Sequence, residues 1–379
     1  MKDKLSYLTE IKRIFLKKRY NFFKKKSKLI QSNFRSFYYT TFVGFFLIFI
    51  FAAMPKTITI TTKIFSTPEI IINKSKSNFE KTMEGKKLEL QLELQKDEKK
   101  KVTFTDLFFD IFEFEGVEDD TVRLSASTLK QLFEDTKYNL NDVRKNKIVK
   151  PVSIALLPNE IKNIESSKRR KQLFIQIVLP LILEENERIK LDRKRLFVIL
   201  NKNNNTKSEK KWLKNKFKQY GVVNRDLTTL KIRIDEIPVS LAIAQAAKET
   251  GWGTSRFALE GNALFGQWTW NGDGIKPAEA DDQAKHKIMR FNVLQASVRA
   301  YQRNLNTHSS YKEFREARAI QRDNEGKLNS LELVNYLDKY AETGKEYTKI
   351  LKIIIHQNSL QDFDDAKLLP SSEKIKKLI

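Results

Sequence analysis

Apolar residues recur with helical period over most of the chain, and one stripe ends on a carboxylate. In 237–253, Val239, Ala242, Ile243 and Ala246 share one helix face, and Glu249 continues that face beyond Ala246. Pro238 suits a first helical turn, where a missing N–H costs little, and Gly251 suits the left-handed position that ends a helix. The helix therefore stops at Gly251-Trp252-Gly253, with Glu249 in its last turn. Upstream, Leu173, Ile177, Leu181 and Ile182 mark a helix over 168–200, with Pro180 as a kink point. Residues 201–211 read as a polar surface loop, followed by short helices over 212–221 and 226–233. Downstream, Gln267-Trp268-Thr269-Trp270 alternates and runs into Asn271-Gly272-Asp273-Gly274, a turn signal that predicts a β-hairpin extending to 287–291. Helices resume over 293–305, 309–317, 330–337 and 347–358. The pattern alone gives a mainly α chain.

The N-terminal part reads differently. Twelve Lys or Arg stand against two acidic residues in 1–35, and 37–54 is an uncharged, mostly apolar run. At about 1.5 Å per helical residue this run approaches the ~30 Å hydrocarbon thickness of a bilayer. It reads as a transmembrane anchor over 37–55, its basic flank (1–36) cytoplasmic and all that follows on the outer face. Ala52-Ala53 leaves a cleaved signal peptide as the alternative, against which the length of the basic flank counts. A charge-dense linker fills 56–101, and 102–150 reads as a small accessory region without an assignable role.

Composition narrows the chemistry. A chain of 379 residues, 40% apolar and 31% charged, supports one or two globular domains. The net charge of +24 invites a nucleic-acid reading. Export past the apolar run argues against that partner, and attraction to an anionic wall polymer accounts for the charge equally well. With no cysteine, a disulfide framework or thiolate metal site is ruled out. His286, His308 and His356 are scattered and form no H-x-x-x-H pair, so neither metal nor cofactor is expected.

Glu249 carries the chemical argument. A carboxylate that faces the packed side at a helix C-terminus is opposed in its ionisation by desolvation and by the partial negative charge of the last carbonyls. A carboxylic acid that keeps its proton near neutral pH is what a glycosidase needs to protonate a leaving sugar oxygen. The bland alternative is a glutamate that snorkels to solvent.

Glu249-Thr250-Gly251-Trp252-Gly253, followed by Asn262-Ala263-Leu264-Phe265-Gly266, resembles the glucosaminidase domain of family 73 glycoside hydrolases, which cut the glycan strands of bacterial peptidoglycan. The likeness continues through Phe291, Ala296-Ser297, Tyr301, Tyr311, Tyr340-Ala341-Glu342 and Tyr347. The segment Phe257 to Trp268, Asn304-Leu305-Asn306-Thr307-His308 and the helix over 173–189 are similar to the Bax-like branch. The resemblance covers 152–363 and implies a domain over 151–363, with 364–379 as a tail. It also implies a lysozyme-like fold, a helical lobe with a small β-hairpin lobe, and places such an enzyme at the bacterial inner membrane with its catalytic domain in the periplasm.

What the resemblance implies for the site is specific. Glu249 is the acid and Tyr340 the groove tyrosine opposite it. A second carboxyl, where the family has one, lies in the hairpin lobe. Here Glu279 is the first choice, with Asp281, Asp282 and Asp273 as further candidates, and the substrate's 2-acetamido group is the route if none serves. Phe265, Trp268 and Trp270 form the expected sugar-stacking set, with core packing the alternative for each, and Trp252 is a further expected substrate-binding residue. Asn262 and Gly266 shape the loop. Relatives often carry cysteines near 270–274, and this chain has none. Two other readings stay open: a lytic transglycosylase using the same glutamate, and a wall-binding module without turnover.

Overall fold

The structure, a computed structural model, describes residues 121–269, 274–276, 287–324 and 326–370, with the side chains of Trp268 and Thr269 excluded. The expected anchor, the linker and 102–120 lie outside the described residues. Among the described residues no helix is long and apolar enough to cross a membrane.

The described chain is mostly helical. In order it forms α1 (Ala126–Asp135), α2 (Leu140–Asn146), β1 (Ile148–Val149), α3 (Ser167–Leu200), α4 (Lys207–Gln219), α5 (Leu227–Arg233), α6 (Val239–Thr250) and α7 (Arg256–Gly261). Then come β2 (Trp268–Thr269), β3 (Gly274–Ile275), β4 (Lys287–Met289), α8 (Leu294–Thr307), α9 (Lys312–Asn324), α10 (Ser330–Leu333), α11 (Lys345–Gln357) and β5 (Lys367–Leu368). The 3-10 segments Val334–Tyr340 and Leu360–Phe363 flank α11.

Helix α6 is central. Its alanines favour helix, and Val239 through Ala247 are all buried, so it is buried all round rather than along one stripe. It packs against α3, α11 and the Leu360–Phe363 turn. Its start lacks a side-chain cap of its own. Asp364 supplies one from far along the chain, accepting Ser240 N–H at 2.8 Å and Ser240 Oγ–H at 2.8 Å. The approach to α6 is fixed by Asn186, which donates to Ile237 O at 2.8 Å, and by the fully buried Arg318, which donates to the carbonyls of Asp235 and Glu236.

Helix α3 runs through Pro180 without interruption. Proline cannot donate to the carbonyl four residues back, here that of Gln176. Tyr138 fills the gap: its hydroxyl donates to Gln176 O at 3.1 Å, and Gln176 Nε2 returns a bond to Tyr138 O at 3.0 Å. Residues 121–150, the described part of the accessory region, thus share the main apolar core through Leu129, Phe133, Tyr138, Val143 and Val149. Strand β1 pairs in parallel with β5, Ile148 opposite Lys367, which draws the start of the expected tail into the same body.

Two expectations are corrected. Helix α4 begins at Lys207, inside the expected loop, because Thr206 and Glu209 form a reciprocal capping box. The simple hairpin is a three-stranded antiparallel sheet of order β2-β4-β3, so the strands flanking the Asn-Gly-Asp-Gly turn do not pair with each other. Ile288 of β4 is buried among Ala263, Phe291 and Val293, which gives β4 the central place and leaves the small Gly274 at an edge.

Candidate active site

Three consecutive left-handed residues end α6: Gly251 (φ 58°), Trp252 (φ 62°) and Gly253 (φ 82°). A β-carbon on Gly253 would lie 2.9 Å from the Phe174 ring, so only glycine fits there. Trp252 has no such freedom, and its conformation costs about 1–3 kcal/mol. Its packing offsets that cost, since the indole meets Phe174 edge-on at 5.9 Å and lies under the Lys171 ammonium at 4.9 Å. Trp252 is therefore wedged against α3.

Glu249 is half-buried beside the exposed Lys248. Tyr347 of α11 donates its hydroxyl to Glu249 Oε1 at 2.8 Å. Among the described residues no salt bridge reaches this carboxyl. Burial pushes it above the ordinary carboxylate range, and the Tyr347 hydrogen bond and the Lys248 charge pull downward without cancelling that. The other oxygen, Oε2, lies by Gly266, where a β-carbon would come within 3.4 Å of it and the backbone has φ 61°. Gly266 thus leaves open space beside the second oxygen.

A set of tyrosines walls the carboxyl. Tyr340 stacks on Tyr347 with ring centroids 5.5 Å apart, and its hydroxyl donates to Phe265 O at 2.9 Å. It therefore pins the loop before Gly266 and does not bond the acid. Tyr311 lies 5.9 Å from Tyr340. Burial raises all three phenols, Tyr311 up to about 12, so each stays protonated as a donor. Phe265 is 1% exposed and stacks on Tyr301 at 3.8 Å. That corrects its expected role: it has no free face for a sugar and serves as packing under the loop. Asn262 caps α7 in the left-handed region and donates to the carbonyls of Phe291 and Asn292, fixing the same loop.

Trp268 stands in β2 opposite Ile288. Trp270, Asp273, Glu279, Asp281 and Asp282 lie outside the described residues.

The sequence reading missed the inner side of the site. Gln245, one turn before Glu249, is fully buried and donates to the Tyr347 hydroxyl at 3.1 Å. It accepts from the Tyr301 hydroxyl at 2.7 Å. The available signal was a lone amide inside an otherwise apolar helix, at i,i+4 from the acid. A cavity of about 950 Å³ between α1, α2 and the start of α3, lined by Lys130, Tyr138, Asp142 and Arg169 among others, includes none of these groups. The chemistry follows the carboxyl, not the volume.

Residues 229–360, which contain Glu249, Gln245 and all four tyrosines, match the glucosaminidase family described as mannosyl-glycoprotein endo-beta-N-acetylglucosaminidase. The chain is 31% identical over 205 residues to Protein bax of Escherichia coli (strain K12), covering 52% of this chain and 73% of that protein. No solved structure matches. The chain belongs to the Bax-like glucosaminidase-domain proteins and is a glycoside hydrolase, with Glu249 inside the matched segment.

Proposed function

We propose that this chain is a membrane-anchored peptidoglycan hydrolase that cleaves β-1,4 bonds of N-acetylglucosamine-containing strands, with Glu249 as general acid. The observation that carries the reading is the state of Glu249: desolvated, hydrogen-bonded by a phenol and in no salt bridge with a described residue, and therefore holding its proton above the usual carboxyl range. In the reaction the Glu249 proton passes to the bridging oxygen as the C–O bond breaks, leaving a carboxylate and a free sugar hydroxyl. The anomeric carbon is taken by Glu279 or by the substrate's own acetamido oxygen, and water completes the hydrolysis. The mainly helical body with a small antiparallel sheet after Glu249 supports the lysozyme-like expectation, and Trp268 and Trp270 remain the sugar-stacking candidates. The anchor over 37–55 would hold the catalytic part on the periplasmic face of the inner membrane.

The test is turnover of purified peptidoglycan by wild type and Glu249→Gln, with products read by mass spectrometry. Reducing N-acetylglucosamine ends made by wild type alone support the proposal. Anhydromuramyl ends would move it to a lytic transglycosylase, and wall binding without turnover by the wild type would make the chain a binding module.

A further inference from the structure

The hydrogen bonds behind Glu249 have a direction, and Gln245 sets it. Tyr301, Gln245 and Tyr347 are all buried, at 0%, 0% and 1% exposure, so each polar hydrogen there needs a partner inside the protein. A phenol carries one hydrogen, and an amide oxygen only accepts. Tyr301 spends its hydrogen on Gln245 Oε1. The Gln245 amine then faces Tyr347, whose oxygen accepts it, and this turns the single Tyr347 hydrogen toward Glu249 Oε1.

Reversing the Gln245 amide would reverse every bond in the chain. The amine would donate to Tyr301, whose own hydrogen would then point at no acceptor in a fully buried site, a costly arrangement. Tyr347 would give its hydrogen to Gln245, and Glu249 would have to donate inward. The observed order gives both phenol hydrogens an acceptor and leaves the Glu249 proton as the one hydrogen without a partner in the set, and stacking fixes both phenol rings, Phe265 on Tyr301 and Tyr340 on Tyr347.

We infer that Gln245 is a positioning residue: by accepting from Tyr301 and donating to Tyr347 it makes Oε1 of Glu249 an acceptor, which leaves the acid proton on Oε2, beside Gly266. This rests on the proposal that Glu249 is the acid, and adds which oxygen carries the proton and what puts it there. Gly266 fits the same account, because the oxygen with the transferable proton is the one whose neighbour has no side chain.

The experiment is the pH profile of kcat and kcat/KM on purified peptidoglycan for the full chain and for Gln245→Met, Gln245→Glu and Tyr347→Phe, with thermal melts to certify folding and Glu249→Gln as control. Gln245→Met removes donor and acceptor, so kcat should fall about 10- to 100-fold with KM little changed. The alkaline limb should move to higher pH, because the hydrogen bond favouring ionised Glu249 weakens. Tyr347→Phe should move that limb further. Gln245→Glu, when protonated, offers the same acceptor and one donor, so it should work best at the acidic end and lose activity faster than wild type as pH rises. Folded variants whose profiles superimpose on wild type after scaling would overturn the inference, whereas activity in Glu249→Gln would instead remove the acid itself.

Discussion

Two buried glutamates in this protein are held in opposite ways. Glu185, 1% exposed on α3, accepts from Arg188 and from Arg299 Nε at 3.1 Å. Burial pushes its carboxyl up, but the two guanidiniums outweigh this and hold it below the ordinary range, so it is a fixed anion. Glu249, less deeply buried on α6, has a phenol in place of the guanidiniums, and burial wins. Desolvation is common to both; what separates the lowered carboxyl from the raised one is the charge of the partner. Asp235 is likewise ringed by guanidiniums, those of Arg193, Arg318 and Arg322. Among the described residues, arginines pair with Glu185 and Asp235 and none pairs with Glu249.

The sharpest way to break this contrast is to exchange ionisation for neutrality at each site. Glu249→Gln should lower turnover by at least about 10²–10⁴-fold while the melting temperature holds or rises. The sign follows from the raised carboxyl: its ionised form burdens the folded state as pH climbs from the ordinary carboxyl value to the folded one, and the amide removes that cost. Glu185→Gln should do the reverse, costing about 3–5 kcal/mol of stability with activity per folded molecule retained. Because the folded Glu185 carboxyl is depressed, its contribution is present above the ordinary carboxyl value and is lost as pH falls through the folded one. Denaturant melts at several pH values check both, and a stable Glu185→Gln or an unstable Glu249→Gln would undo the comparison.

How much of this was legible in the chain depends on the range of the interaction. The ends of α6 were readable because Pro238 and Gly251 act locally, and Glu249 stood out because it interrupts an apolar stripe. The Thr206-x-x-Glu209 capping box was equally local and equally readable, yet the polar run around it suggested a loop. The partners of Glu249 were not local. Tyr347 lies 98 residues beyond it in the chain, and Tyr301 lies 56 beyond Gln245, so no periodicity relates them. The same holds for Tyr138, which closes the Gln176 carbonyl left open by Pro180 across 38 residues and so ties 121–150 into the core. Phe265 was misjudged because an aromatic beside a glycine turn looks alike whether it faces a sugar or a tyrosine. Only packing on Tyr301 distinguishes the two.

Two smaller effects sharpen the contrast further. Gly266→Ala adds a methyl beside Oε2 at a backbone angle that disfavours side chains, so turnover should drop about tenfold for a cost of about 1 kcal/mol, seen as a fall in kcat on peptidoglycan with a shallow loss of melting temperature. Asp364 is a further carboxyl that burial raises, to about 6, despite its bonds to Ser240 and Ser330. As with Glu249, its ionised form weighs on folding as pH rises from the ordinary carboxyl value toward that one, so Asp364→Asn should flatten the stability profile between about pH 4 and about pH 6. A pH-stability profile unchanged by this variant would show that the cap on α6 does not depend on the charge of Asp364.

The central claim is that the Glu249 carboxyl keeps its proton where ordinary carboxyls have lost theirs. It is tested most directly by following side-chain carboxyl ¹³C resonances of the glutamate-labelled full chain against pH, with Glu249→Gln identifying the signal. The account predicts that the signal missing from the variant titrates above the ordinary glutamate value, while that of Glu185 titrates below it. A Glu249 resonance that titrates at or below the ordinary value would contradict the account.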